Sequence, residues 1–93
     1  MTDVTTQPVI DRLAALRDAL RAVRTPDAER ALYQCDRLEQ AVRHWHAEAI
    51  RFAAYTINHI VDTQGEQFGG ARDGIRQRIH ELRDALANAG HTF

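Results

Sequence analysis

The chain has 93 residues and a mass of 10.5 kDa, with 44% hydrophobic and 27% charged residues. A chain of this length forms one domain, which excludes a multidomain enzyme and any doubly wound or barrel architecture. Twelve basic residues, all arginine, face thirteen acidic ones, so only a local basic patch could bind nucleic acid. Alanine is abundant, and glycine and proline number only five and two, which predicts an all-α protein.

The single cysteine, Cys35, cannot form an internal disulfide, which is typical of a protein in the reducing cytoplasm. No apolar segment approaches the ~20 residues that span a membrane. Residues 1–9 also lack the basic and apolar regions of a signal peptide. We therefore expect one soluble, cytoplasmic domain over residues 1–93 that does not bind a membrane.

The first predicted helix covers residues 8–24 and follows a polar segment, residues 1–7, that is predicted to be a loose N-terminus. Pro8 stands where helices commonly begin. The apolar residues of this helix recur at alternating steps of four and three, which is the spacing of a coiled-coil seam: Val9, Leu13, Leu16, Leu20 and Val23. Thr25 and Pro26 then predict the start of a second helix, with Thr25 as its cap.

The second helix is predicted to be long, because the same alternating spacing continues far along it: Ala31, Cys35, Leu38, Val42, Trp45, Ala49 and Phe52. After Phe52 the apolar stripe moves to another face. The helix therefore covers either 26–54 or 26–63. Even the shorter range would be roughly 43 Å long, so we expect part of it to project or to pair with a second copy of the chain.

The segment 65–74 is predicted to be a glycine-rich turn, because interior glycines each cost a helix ~1 kcal/mol. A last helix is predicted over 75–89, with Gly90 as its stop. The predicted fold is all-α, with three to four helices and a long central helix in a helical-bundle or coiled-coil-like homodimer. Dimer and packing contacts are expected from Leu13, Leu16, Leu20, Leu38, Val42, Trp45, Phe52, Ile79, Leu82 and Leu86.

A second pattern lies in residues 48–79, where a cap residue, an apolar pair and a glycine follow an alanine- and arginine-rich approach: Ala49, Arg51, Ala53, Thr56, Ile60, Val61, Gly65, Ala71 and Ile75. This pattern resembles the DNA-binding helix-turn-helix of small actinobacterial regulators. With the helix that leads into it, the resemblance covers about residues 28–79.

The resemblance implies a helix-turn-helix at 56–78 in a small DNA-binding regulatory protein that acts as a dimer. Thr56 would cap the first helix of the motif, and the second would enter the major groove. By analogy, the residues facing the major groove would be Gln67, Phe68 and Arg72. Arg76 and Arg78 would contact the DNA phosphates.

The seam spacing also supports a second class of function. If the central helix is continuous to Thr63, the two shorter helices can fold along its two halves. The protein would then be a non-enzymatic helical adaptor or assembly protein that works through protein contacts and does not bind DNA. A break near Tyr55 with another at Gly65 favours DNA binding, whereas one continuous helix through Ile60 abolishes it.

The sequence predicts no catalytic residue, metal site or cofactor. It contains no serine, and Cys35 stands on an apolar stripe without an evident base to activate it. Metal ligands on one helix face are three or four residues apart, whereas His44 and His46 are two apart and His59 does not stand at that spacing from either. We therefore expect surface or interface histidines rather than metal ligands. Phe68 is predicted either to fill the core or to contact a partner.

Overall fold

The computed structural model describes residues 6–90, which form four long helices, a short helix and a 3₁₀ turn. The elements are α1 (Thr6–Arg21), α2 (Pro26–Arg43), α3 (Ala47–Thr63), α4 (Gly65–Phe68), the turn Gly69–Ala71 and α5 (Arg72–Asn88). No strand occurs in this range, so the predicted all-α class is confirmed. Residues 1–5 of the predicted N-terminal segment lie outside the described residues, and α1 begins two residues before Pro8.

The four long helices form a bundle in which α1 packs against α2 and α5, and α3 packs against the same two helices. The α2–α3 contact is the most extensive and the α3–α5 contact is the least. Each long helix turns one apolar stripe toward a shared core, and residues 6–90 measure 40 × 20 × 18 Å. Every helix in this range is too short or too polar to cross a lipid bilayer.

The connection between α1 and α2 follows the signals in the sequence. Arg24 adopts a left-handed backbone conformation, with φ at 57°, and reverses the chain. The Thr25 hydroxyl accepts a hydrogen bond from the Ala28 N–H at 3.2 Å and so caps α2, while Pro26 takes the first helical position. Asp27 and Glu29 place negative charge at the positive end of the helix dipole.

The prediction of one unbroken helix over 26–54 or 26–63 is wrong. The chain leaves the helix after Arg43, and α3 begins at Ala47. The physical reason is the change of apolar face: the core stripe of α3 is rotated by roughly a quarter turn from that of α2 when both are projected along one helix axis. A hairpin buries both stripes in one core, which a straight helix within one chain could not do.

The turn predicted over 65–74 is shorter in the structure, because helical residues occupy both of its ends. Only Gly69 within it has a left-handed φ, at 53°. Gly74 lies inside α5, which begins at Arg72 rather than at residue 75. Phe68 is 3% exposed and anchors the connection to the core. Burial of that ring offsets the low helix propensity of the surrounding glycines.

Candidate functional site

The segment 56–78 lacks the helix start at Thr56 that the predicted helix-turn-helix needs. α3 passes through Thr56 without a break, and the Thr56 hydroxyl donates to the Phe52 carbonyl at 2.8 Å instead of capping a helix. The break near Tyr55 that would favour DNA binding is absent, because one buried stripe runs along the whole of α3: Ile50, Ala53, Ala54, Ile57, Ile60 and Val61.

The three residues predicted to face the DNA major groove lie in α4 and at the start of α5. Phe68 is part of the core, so its predicted contact with DNA is wrong. Arg72 is half-buried, and its guanidinium lies over the backbone of Gly65, where a Cβ would stand only 2.7 Å from it. Gln67 alone is exposed. These side chains therefore do not form a common surface.

The two predicted phosphate contacts are exposed arginines that bond within the chain. The Arg76 Nε lies 3.7 Å from a carboxylate oxygen of Asp62. The Arg78 guanidinium donates to the Gly74 carbonyl at 3.0 Å. A phosphate would have to compete with Asp62 for the first of these cations. DNA binding by this segment stays a prediction, and the local ion pairing does not favour it.

Most residues predicted to make dimer or packing contacts are buried within this single chain: Leu13, Leu16, Leu20, Leu38, Val42, Ile79, Leu82 and Leu86. Trp45 is half-buried against the core, and Phe52 is 62% exposed. The first and last seams therefore meet inside one bundle. Only the later part of the α2 seam, at Phe52, is left on the surface.

The exposed Phe52 forms part of a groove of about 430 Å³ between α2 and α3, at the end of the bundle where the two helices join. We call it the α2–α3 groove, and its lining residues are Arg37, Gln40, Ala41, His44, His46, Ala49, Phe52 and Ala53. The three alanines keep it open, because their short side chains let another backbone approach closely. Its polar lining consists of one arginine, two histidines and one glutamine, with no carboxylate.

The same helix pair carries a second depression of about 400 Å³ toward its other end, lined in part by Tyr33, Gln34 and Thr56. Tyr33 is 58% exposed. Arg37 lies between the two depressions, with its guanidinium carbon 5.8 Å from the Tyr33 ring centroid and a hydrogen bond of 3.3 Å to the Tyr33 hydroxyl. The ring thus positions the Arg37 cation beside both depressions.

A smaller groove of about 260 Å³ lies on the opposite side of α3, against α5. Tyr55 lines it and is 64% exposed, with its ring stacked on His59 at a centroid distance of 5.7 Å. Phe52 and Tyr55 are therefore equally exposed aromatic residues of one helix that line different grooves. This difference makes them a matched pair for mutagenesis.

The joint between α2 and α3 places His44 and His46 at the rim of the α2–α3 groove. Trp45 has a φ of 49°, a left-handed conformation that costs a bulky residue about 1–3 kcal/mol. The Trp45 N–H donates to the Val42 carbonyl at 3.1 Å, and the His46 N–H donates to the Ala41 carbonyl at 2.9 Å. This is the Schellman pattern of a helix end, with tryptophan where glycine is usual.

The groove rests on α2, which an ion-pair network fixes against α1. Arg17 contacts Glu39 at 2.6 Å and Asp36 at 3.0 Å. The hydrogen bond from Arg17 lowers the pKa of the Glu39 carboxyl despite its partial burial, and the hydrogen bond from Arg43 lowers it further. Burial acts to lower the pKa of Arg17, but the Glu39 and Asp36 carboxylates outweigh it and raise that pKa.

The lone thiol has no catalytic environment. Cys35 is fully buried, and burial raises its pKa to about 12 although the nearby Arg17 acts to lower it. Within residues 6–90, no group of three or more His, Cys, Asp or Glu side chains is placed to hold a metal ion. Comparisons with known protein families, curated proteins and solved structures found no match to this chain.

The seam spacing predicts a packing role for Phe52 and does not place Arg37, Gln40 or Ala49 in a site. Their grouping depends on the hairpin at residues 44–46, which brings two distant helical faces together. The one signal in the sequence is the seam itself. It continues past Trp45 to Ala49 and Phe52, although the apolar stripe of α3 faces elsewhere.

Proposed function

We propose that this chain is a non-enzymatic helical adaptor that works through protein–protein contacts and pairs with a second copy of itself. Its surface for other proteins is the α2–α3 groove, and the partner segment is an amphipathic helix with acidic residues beside its apolar stripe. The observation that carries the proposal is the 62% exposed Phe52 in a groove whose polar lining has basic and neutral groups only.

The α2–α3 helix pair presents aromatic side chains to solvent. Tyr33 and Phe52 stand on its surface, while the other described phenylalanine, Phe68, is buried. Exposed aromatic residues on a small domain commonly mark a contact surface, and they contribute much of the energy of protein interfaces. A groove floored by alanines between two helices suits a third helix, which would insert apolar residues at three- and four-residue spacing.

The charge of the groove selects among partner helices. Arg37 contributes a permanent cation to its lining, and the His44 and His46 imidazoles and the Gln40 amide add polar groups without negative charge. Acidic residues on the incoming helix would meet these groups, whereas lysines would be repelled. Charge complementarity of this kind increases the association rate and the specificity.

The experiment is a fluorescence anisotropy titration of a labelled 18-residue helical peptide of leucine, alanine and glutamate. A peptide with lysine in place of glutamate is the charge control. We expect the acidic peptide alone to bind, and Phe52→Ala to weaken it about tenfold or more, which is the effect expected of a contact worth ~1.4 kcal/mol.

Tyr55→Ala is the matched control, because it removes an equally exposed ring from the same helix outside the groove. Equal loss of binding in the two variants, or equal binding of both peptides, would contradict the proposed groove. A parallel titration with random duplex DNA at about 50 mM salt tests the other function class. Micromolar binding that weakens steeply with salt would instead support DNA binding.

A further inference from the structure

The joint between α2 and α3 turns without the residues that usually make a turn. Residues 44–46 contain neither glycine nor proline. Trp45 nevertheless holds a left-handed conformation, and His44 and His46 flank it with bulky side chains. Arg24, the other described non-glycine residue with positive φ, is followed by a threonine cap and a proline. The α2–α3 joint is therefore a strained connection with no sequence feature that prevents it from becoming helical.

The seam of α2 continues through this joint with unbroken spacing. Its first part is buried inside the chain, at Ala31, Cys35, Leu38 and Val42. Its later part is only half-buried or exposed, at Trp45, Ala49 and Phe52. A straight helix through the joint would carry all seven residues on one face. In the hairpin, these seven residues are divided between α2, the joint and α3 and no longer form one continuous stripe.

We propose that two copies of this chain exchange halves, with the joint straightened so that α2 and α3 form one helix over 26–63. In the exchanged dimer, α3 to α5 of each copy pack on α1 and α2 of the other. The inference rests on the proposed pairing with a second copy. It identifies which surfaces pair: the α1–α5 and α2–α3 contacts of the single chain, remade between chains.

The exchange preserves the core and removes the strain. Each buried stripe meets the same partner stripe as before, because only the connection changes. Trp45 returns to a helical φ in both copies. The middle of each straightened joint lies near the twofold axis, so the Trp45 side chains of the two copies come together there.

One substitution separates the two forms. Ala47 is the first residue of α3, and His46 before it is extended, with φ −87° and ψ 94°. Proline is common at the first position of a helix and favours an extended residue before it. Ala47→Pro is therefore compatible with the hairpin. In a straight helix, proline at this position would clash with the carbonyl of Arg43 and remove a hydrogen bond. Ala47→Gly is the control, since it weakens the helix at the same position without blocking it.

Light scattering over a range of protein concentrations measures the effect. We expect Ala47→Pro to remain folded by circular dichroism and to raise the dimer dissociation constant about tenfold or more above that of the Ala47→Gly control. A folded Ala47→Pro protein that dimerises as strongly as this control would overturn the exchange.

A cross-linking experiment tests the exchange without altering the joint. Arg12 and Glu81 form a 3.3 Å ion pair between α1 and α5, and these helices belong to different halves. Chains with Arg12→Cys and chains with Glu81→Cys are mixed, unfolded and refolded together, then treated with a short bismaleimide. The unsubstituted chain, whose only thiol is the buried Cys35, is the background control.

Exchange predicts a covalent dimer that joins position 12 of one chain to position 81 of the other. A dimer seen by light scattering but without this cross-link would overturn the exchange and leave the proposed pairing intact. A protein that stays monomeric at about 0.5 mM would have a dissociation constant weaker than that of most specific dimers. This result would overturn both the exchange and the proposed pairing.

Discussion

The two helix connections that bound α2 reverse the chain in different ways. Before α2, Arg24 takes the left-handed conformation, Thr25 caps the helix and Pro26 occupies its first position. After α2, Trp45 takes the left-handed conformation, and His46 precedes α3 without a side-chain cap. The first connection is specified by its own residues. The second depends on the packing of α2 against α3, which is the most extensive helix contact in the chain.

The largest expected effect tests where the chain between residues 26 and 63 breaks. Tyr55→Pro should lower the free energy of unfolding by ~3 kcal/mol or more, because residue 55 is in the interior of a continuous helix. In the single-chain hairpin, at protein concentrations too low for pairing, Ala47→Pro should change it by less than ~1 kcal/mol, since its position tolerates proline. Urea unfolding measures both. Similar small losses in the two variants would contradict a continuous α3 that begins at Ala47.

The ion pairs that hold α2 against α1 predict a dependence on pH. The Glu39 pKa lies below its ordinary 4.5, so the folded state gains stability from this carboxylate above that pH and loses it as the pH falls below 4.5 through the folded-state pKa. Glu39→Gln should destabilise the protein by ~1 kcal/mol at pH 7 and much less at pH 3. Equal destabilisation at the two pH values would show that the charge is not responsible.

A smaller effect separates the two helix starts. Thr25→Ala should cost ~1 kcal/mol, because it leaves the Ala28 N–H without its partner. His46→Ala should cost less than ~0.5 kcal/mol, because His46 makes no side-chain cap bond. Thermal or urea unfolding of the two variants gives the comparison. A larger loss at His46 would mean that its side chain stabilises the joint by a contact other than capping.

The only expected gain in stability, which is also the smallest change, is at Arg24, one of the two left-handed residues. Arg24→Gly should stabilise the chain by ~0.5–1 kcal/mol, because Arg24 is exposed and glycine relieves the strained φ. Trp45→Gly relieves a similar strain but loses a half-buried ring, so its net effect should be a loss of stability. Urea unfolding of both variants measures the difference. Stabilisation by both changes would show that the Trp45 ring contributes little packing.

The helices next to recognisable end signals could be predicted closely from the sequence. The start of α2 at Pro26 and the left-handed Gly90 after α5 follow the residue types at those positions. The end of α2 could not be predicted. Its terminal carbonyls are satisfied by backbone N–H groups of Trp45 and His46, and a backbone bond leaves no trace in residue type.

The candidate site was less predictable than the fold. Phe52 and Trp45 stand out in the sequence as apolar seam residues, but their surroundings depend on a hairpin that the spacing does not reveal. Phe68 shows the opposite difficulty. Its isolation among glycines suggests both a core role and a partner contact, and burial against the helices decides for the core.

The most direct test of the adaptor proposal is a map of backbone amide chemical shifts in the ¹⁵N-labelled protein as the acidic helical peptide is added. A helix bound in the α2–α3 groove should produce shifts concentrated from Arg37 to His44 and from His46 to Ala53, and the lysine peptide should produce none. Shifts confined to the groove lined by Tyr55 would contradict the proposal. The absence of shifts at millimolar peptide would also contradict it, because binding weaker than about 1 mM is too weak for a specific partner.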